Sequence, residues 1–199
     1  MKKMKVMTVV GTRPEIIRLS RTIHALDQYT DHVLVHTCQN YDYELNEIFF
    51  EDLEIRSPDH YLNAAGATSA ETIGKIIIAV DLVLDQEKPE ALLILGDTNS
   101  CLSAIPAKRR KIPIFHMEAG LRAWDSRMPE QRNRILIDHM SNVLLPYNQY
   151  HRENLLREGI HPSKIIVTGN STFEAMRAFA PEIEASDVLS RLNLEPKGY

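Results

Sequence analysis

Cysteine is scarce in this sequence, with two residues, Cys38 and Cys101, among 199. Their number and their distance along the chain exclude a disulfide framework and a cysteine-rich metal site. Scattered single thiols are typical of proteins in a reducing compartment. We therefore predict two reduced thiols in a cytoplasmic protein.

Long apolar runs and an excess of basic residues are also missing. The longest apolar candidate, residues 76–84, is interrupted by Asp81 and is far shorter than the roughly 18 residues of a membrane span. The apolar stretch near the amino terminus, residues 6–10, is too short for a signal peptide. Lysine and arginine number 23 against 27 acidic residues, which leaves a net charge of −4. We predict no membrane segment and no nucleic-acid partner.

Two cofactor signatures are missing as well. The eight histidines do not show the spacing of a metal site, in which two histidines on one helical turn are matched by an acid. The turn at residues 11–14 does not complete the Gly-x-Gly-x-x-Gly pattern of a nicotinamide-binding loop. We predict that the protein uses neither a metal nor a nicotinamide cofactor.

Short apolar segments alternate with longer amphipathic ones along the chain. The short segments predict strands at residues 5–10, 32–37, 91–95, 112–117, 143–146 and 164–167. The longer segments predict helices at residues 14–26, 43–53, 68–86, around 101–110, and at 132–141, 148–158 and 172–179. Thr68 and Glu71 predict a capping box at the start of the third helix. This alternation indicates the α/β class, with a parallel sheet covered by helices on both faces.

Acidic residues follow two of the predicted strands. Asp97 comes after the strand at 91–95, and Glu118 comes after the strand at 112–117. The carboxyl ends of parallel strands meet at one edge of the sheet, where ligands bind. Taken singly, Asp97 also fits a helix N-cap, and Glu118 also fits a solvated rim. Taken together, two acids at a ligand crevice are the usual equipment for proton transfer.

Cations and a third acid complete the group of candidate site residues. Glu130 begins a predicted helix, where it also suits the helix dipole. Arg122 and Arg134 could offset a diphosphate, because guanidinium groups bind phosphate oxygens in pairs. Thr12 can cap the first helix, and Arg13 stands beside that helix N-terminus, where anions are favoured. The same turn also fits a purely structural role.

His116 and Trp124 are less informative. His116 lies within a predicted strand, which favours a position in the core or at its rim over a catalytic one. Trp124 fits a sugar pocket and a loop anchor equally well.

Six motifs occur in a fixed order along the chain. They are Gly11-Thr12-Arg13-Pro14-Glu15, Thr37-x-Gln39, Gly96-Asp97-Thr98, His116-x-Glu118-Ala119-Gly120-Leu121-Arg122, Pro129-Glu130-x-x-Asn133-Arg134 and Thr168-Gly169-Asn170. The series resembles the non-hydrolysing UDP-N-acetylglucosamine 2-epimerases of bacteria. That resemblance implies a GT-B fold, in which two Rossmann-like domains enclose the active site, usually within a homodimer. On this basis we predict an N-terminal Rossmann-like domain at residues 1–180 and a linker towards a second domain at residues 181–199.

The resemblance also implies a reaction on a UDP-sugar. Enzymes of this family remove UDP by anti elimination across C1 and C2 and add it back with the proton on the other face of C2. Asp97, Glu118 and Glu130 match the family's catalytic carboxylates. We predict substrate contacts from Arg13, Arg18, Gln39, Arg122 and Arg134. In the family, the second domain carries most uridine and diphosphate contacts and a further catalytic histidine.

Different segments indicate different sugars. Residues 16–20 and 39–45 resemble the subgroup that makes UDP-N-acetyl-L-fucosamine from its talose epimer, whereas residues 121–124 resemble the main group, which interconverts UDP-N-acetylglucosamine and UDP-N-acetylmannosamine. Residues 63–68 lack the Gly-Gln signature of the main group, and with it the basis for allosteric activation by substrate. Two further hypotheses stay open: a GT-B glycosyltransferase that uses the same cleft, and a domain fragment that folds without turnover.

Overall fold

A computed structural model describes residues 2–38, 44–125 and 127–194 of the chain. Its sheet has six strands in the order β3-β2-β1-β4-β5-β6, and all five neighbouring pairs are parallel. The strands are β1 (Lys5–Val10), β2 (Asp31–His36), β3 (His60–Tyr61), β4 (Ala91–Leu95), β5 (Ile114–Met117) and β6 (Val143–Leu145). The predicted α/β class with a parallel sheet is confirmed.

Helices connect the strands and cover both faces of the sheet. They are α1 (Arg13–Tyr29), α2 (Glu44–Asp52), α3 (Ser69–Glu87), α4 (Ala104–Arg109), α5 (Pro129–Met140), α6 (Gln149–Arg157), α7 (Ser171–Ala178), α8 (Ala180–Ala185) and α9 (Val188–Arg191). Short 3₁₀ helices at Asn99–Ser103 and Pro162–Lys164 complete the set among the described residues. None of the helices in the described ranges is long and apolar enough to cross a membrane.

The two faces of the sheet bury separate apolar clusters. On one face, Met7 and Val9 of β1 pack with Ile76 and Val80 of α3. On the other face, the neighbouring side chains of β1 and β2 pack against α1. All five residues of β4 are buried, as expected for a parallel strand covered on both sides. The chain order reverses between β1 and β4, and in sheets of this kind the ligand crevice lies beyond the carboxyl ends of the strands at that point.

The start of α3 follows the capping prediction in part. The Thr68 hydroxyl accepts a hydrogen bond from the Glu71 backbone N–H at 3.1 Å. The Glu71 carboxylate reaches back to the N–H of Ala67 at 2.9 Å, one residue before the predicted partner. The first bond satisfies a backbone donor that the first helical turn leaves unpaired, and the second ties the residue before the N-cap to that turn.

Two strand predictions need correction. The predicted strand at residues 164–167 is a single bridge between Ile165 and Leu144. The N–H of Ile166 donates to the Leu144 carbonyl oxygen of β6 at 2.9 Å, and the N–H of Thr168 donates to that of Pro146, just beyond β6, at 3.1 Å. Conversely, β3 was not predicted, because two residues are too short to show a strand periodicity.

The segment predicted to be a linker begins as helix. Residues 182–194, which include most of α8 and all of α9, are exposed throughout. Residues 195–199 lie outside the described part of the chain, so the linker role of residues 181–199 stays a prediction.

Candidate active site

Two sharp turns place Asp97 and Glu118 at the carboxyl edge of the sheet. Gly96 follows β4 with a φ of +83°, and Asp97 comes next. Glu118 follows β5 and itself adopts a φ of +62°. Non-glycine residues rarely occupy this left-handed region, and where they do the strain is often part of a functional site. The side chain of Glu118 is almost fully buried, whereas that of Asp97 is one-fifth exposed.

Arg134 of α5 bridges the two acids. Its Nη2 lies 2.5 Å from Oδ2 of Asp97 and 3.4 Å from Oε1 of Glu118. Its Nη1 donates to the Glu118 carbonyl oxygen at 2.7 Å. Asn133 adds a hydrogen bond to the Asp97 carbonyl oxygen at 3.0 Å. One buried guanidinium therefore fixes the positions of both carboxylates, a geometry that is stronger than single neutral hydrogen bonds.

Two more side chains converge on Glu118. Nη1 of Arg18, on α1, lies 2.7 Å from Oε2 of Glu118. The hydroxyl of Tyr147 points to the same oxygen at 3.4 Å. Burial, followed by the charge of Glu118, raises the pKa of Tyr147 above its ordinary value. Sequence reasoning missed Tyr147, although its position two residues after β6 is the same kind of strand-end signal that selected Asp97 and Glu118.

The other predicted site residues lie in different settings. Glu130 is exposed in the first turn of α5, one helical turn before Arg134 and hence on the same side of that helix. The guanidinium of Arg13 lies over the Phe49 ring, 5.5 Å from its centroid. Gln39 lies outside the described residues. The structure thus brings Asp97, Glu118, Arg18 and Arg134 together.

Arg122 lies in a buried network of its own. Its Nε and Nη2 donate to the Glu158 carboxylate at 2.7 and 2.5 Å, and Nη2 also donates to Asp138 at 2.8 Å. Its Nη1 donates to the carbonyl oxygen of Leu121 at 2.8 Å. All three nitrogens are engaged with protein acceptors, and this favours a role in holding the turn after Glu118 over the predicted contact with substrate.

Glu15 ties the turn after β1 to the turn after β4. Its carboxylate accepts from the Gly11 N–H at 3.0 Å, from the Thr12 hydroxyl at 2.8 Å, and from the hydroxyl of Ser100. Thr12 occupies the N-cap of α1 without the predicted capping bond from its side chain, because its hydroxyl is turned to Glu15. Burial raises the pKa of Glu15, and the three hydrogen bonds oppose that shift.

Three residues that the sequence left open are placed by the structure. His116 is fully buried between Gly96 and Asp138, in agreement with the predicted core position. Trp124 is two-thirds exposed, with a φ of +59°. Cys38 and Cys101 are free and buried. Within the described ranges, histidine, cysteine and acidic side chains form no cluster that could hold a metal ion.

The arrangement suits acid–base chemistry on an anionic ligand. Two carboxylates stand at the edge where a parallel sheet binds ligands, and each contacts a guanidinium. A carboxylate in such a crevice can accept and return a proton. The neighbouring arginines can offset negative charge that develops on a departing group.

The chain is similar to known proteins in both sequence and structure. Residues 24–198 match the family model described as UDP-N-acetylglucosamine 2-epimerase. The UDP-N-acetylglucosamine 2-epimerase of Methanocaldococcus jannaschii is 44% identical over 174 residues, which cover 86% of this chain and 48% of that protein. The solved structure of UDP-N-acetylglucosamine 2-epimerase from Rickettsia bellii is 52% identical, with a TM-score of 0.93 over 99% of this chain and 53% of its own.

A ligand-bound structure is also similar. The Methanocaldococcus jannaschii enzyme in complex with UDP-GlcNAc and UDP is 40% identical, with a TM-score of 0.89 over 95% of this chain and 53% of its own. The chain therefore spans about half the length of the relatives that it matches.

Proposed function

The chain belongs to the UDP-N-acetylglucosamine 2-epimerase family, and from that membership we propose that its protein interconverts UDP-N-acetylglucosamine and UDP-N-acetylmannosamine. The observation that carries the proposal is the bridge of Arg134 between Asp97 and Glu118. This bridge sets two potential proton carriers and a cation at the ligand edge of a Rossmann-like sheet, the architecture of one half of a GT-B fold.

The proposed reaction proceeds by elimination and re-addition. A carboxylate takes the C2 proton while the C1–O bond breaks, and UDP and a glycal result. A second proton is then delivered to the opposite face of C2 while a UDP oxygen bonds again to C1. Loss of the weakly acidic C2 proton is coupled to departure of a good leaving group, whose charge the cations stabilise.

Roles follow from the positions of the side chains. Asp97 and Glu118 are proposed proton carriers, and Glu130, exposed one helical turn before Arg134 on α5, is the proposed third. Arg18 and Arg134 hold Glu118 and offset the departing diphosphate. Arg13 and Gln39 keep their predicted substrate contacts as proposals. Arg122, also predicted to contact the substrate, is instead proposed to act through the turn that it anchors.

The relatives are about twice as long as this chain, so the proposed activity belongs to a protein with both halves of the site. A homodimer, which rests on the family resemblance, and a cytoplasmic location, which rests on the two scattered thiols, are further proposals. Light scattering after gel filtration measures the first directly, and a monomeric mass would contradict it.

The decisive experiment incubates the full-length protein with UDP-N-acetylglucosamine in D₂O, with no acceptor sugar present. We expect UDP-N-acetylmannosamine that carries deuterium at C2, resolved by NMR. A parallel incubation with the UDP-linked 6-deoxy-L-talose analogue tests the fucosamine-forming alternative. A glycosyltransferase would give no epimer without an acceptor, and product with a fully protonated C2 would rule out exchange through a protein acid.

A further inference from the structure

Each ring nitrogen of His116 faces a hydrogen-bond acceptor. Its Nε2 lies 2.7 Å from the carbonyl oxygen of Gly96, and its Nδ1 lies 2.8 Å from Oδ1 of Asp138. Both the His116 and the Asp138 side chains have no exposed surface. Because a carbonyl oxygen can only accept a hydrogen bond, Nε2 must carry a hydrogen.

The second acceptor, Asp138, is a carboxylate. Its Oδ2 accepts from the Gly120 N–H at 3.2 Å and from Nη2 of Arg122 at 2.8 Å, which leaves Oδ1 for His116. The guanidinium of Arg122, fully buried against Oδ2, stabilises the ionised form of Asp138, so that Oδ1 is an acceptor. Nδ1 must therefore donate as well, and the ring satisfies both acceptors only as an imidazolium.

The bonds of this pair reach both turns that carry the proposed proton carriers. Gly96 directly precedes Asp97, and Gly120 lies two residues after Glu118. Asp138 is on α5, one helical turn beyond Arg134, whose guanidinium contacts Asp97 and Glu118 directly. Helix α5 thus holds the turns after β4 and β5 at two points, through Arg134 and, one helical turn later, through Asp138.

We propose that His116 and Asp138 are positioning residues for the reaction, an inference that rests on the proposed function. Asp138 holds the turn after Glu118 through the Gly120 N–H and Arg122. The imidazolium of His116 links Asp138 to the Gly96 carbonyl. The turn that carries Asp97 is thereby held at a fixed distance from the turn after Glu118. Neither residue is assigned a contact with the substrate.

His32 is a matched control within the same chain. It is also buried against a carboxylate, with Nδ1 2.6 Å from Oδ1 of Asp27. Its Nε2, however, faces the hydroxyl of Thr8 at 2.9 Å, which can donate as well as accept. Burial lowers the pKa of His32, despite the opposing hydrogen bond that its ring donates to Asp27. His32 is the second residue of β2 and therefore lies away from the carboxyl edge of the sheet.

The first test is an NMR measurement on this chain with ¹⁵N-labelled histidine at pH 7. We expect two ring N–H signals from His116 and one from His32, assigned with His116→Gln and His32→Gln. Burial slows solvent exchange, so that the ring hydrogens are observable. A single ring N–H on His116 would overturn the imidazolium and with it the proposal.

The second test measures kcat and KM per folded molecule in the full-length protein. His116→Gln and Asp138→Asn should lower kcat by about 10²-fold, the loss expected for displaced reacting groups, with KM nearly unchanged. His32→Gln should lower thermal stability without changing kcat. Unchanged kcat in both site variants would overturn the positioning role.

The two measurements also separate this inference from the function on which it rests. A wild-type protein without epimerase activity would remove the proposed function. The ring signals of His116 would then still uphold or overturn the buried imidazolium.

Discussion

At the scale of single residues, the site is defined by the ion pairs between its arginines and its carboxylates. Arg134 of α5 pairs with Asp97 and Glu118, and Arg18 of α1 pairs with Glu118. A carboxylate in such a setting has two separable roles: it anchors an arginine, and it can carry a proton. Replacement by the corresponding amide keeps the size of the side chain and removes the second role.

We predict that Asp97→Asn, Glu118→Gln and Glu130→Gln, each in the full-length protein, lower turnover by about 10²–10⁴-fold, the usual contribution of general acid–base groups. Steady-state rates, corrected for the folded fraction, measure the effect. Asp85→Asn is the control, because Asp85 pairs with Arg110 on the protein surface. If the variants melt at sharply lower temperatures but keep wild-type turnover per folded molecule, the three acids are structural caps and the assignment is wrong.

Glu15 gives a prediction about pH. Burial raises its pKa in the folded chain above the ordinary value of 4.5, so the folded state binds its proton more tightly than the unfolded state does. This group therefore favours folding most at low pH, and its contribution falls as the pH rises from about 4.5 through the raised value. The stability of wild type relative to Glu15→Gln should decline across that window, as measured by urea denaturation at several pH values. A difference that is constant with pH would contradict the raised pKa.

At the scale of elements, the turns after the strands require specific backbone shapes. Gly120 has a φ of +75°, and a Cβ there would lie 2.3 Å from the carbonyl oxygen of His151. Its own carbonyl accepts from Asn154 at 3.0 Å. The turn after Glu118 is therefore clamped between α5 and α6, and it has no room for a side chain.

We predict that Gly120→Ala destabilises the chain more than Gly159→Ala. Both positions have a positive φ, which costs an alanine about 1–2 kcal/mol, but a Cβ at Gly159 would meet no atom within 4 Å. Gly120→Ala should lose a further amount of about 1–3 kcal/mol, because a packed region must move. Urea unfolding midpoints of the two variants give the comparison. Equal losses of unfolding free energy would show that the turn at Gly120 accommodates a side chain without cost.

At the scale of the whole molecule, the chain supplies one wall of the proposed site. Relatives of twice the length include a complex with UDP-GlcNAc and UDP. A ligand pocket normally encloses most of its ligand, and one wall of a cleft cannot do so. The same reasoning predicts that turnover and tight binding need the second half.

We predict that this chain by itself binds UDP with an affinity no tighter than about millimolar, which corresponds to roughly −4 kcal/mol. Calorimetric titration of UDP into the chain measures this, with the full-length protein as the reference. Micromolar affinity for the isolated chain would show that one wall suffices.

The sequence determined much of this protein by local physics. Apolar runs of strand length alternate with amphipathic segments, and that pattern is enough for a parallel α/β sheet. The positions of Asp97 and Glu118 at the sheet edge follow from the same pattern, because each comes directly after a strand. The short β3 escaped it, since two residues contain no strand period. The apolar run at 164–167 predicted a full strand where the structure has a single bridge.

The partnerships within the site were decided only by the tertiary structure. Arg134 meets Asp97 across 37 positions, and Arg18 meets Glu118 across 100. The sequence marked Arg122 and Arg134 alike as cations near the acids, yet Arg134 bridges both carboxylates and Arg122 is buried against Asp138 and Glu158. The physical reason is that strand order and helix rotation set which side chains face each other, and these depend on packing between segments that are distant in the chain.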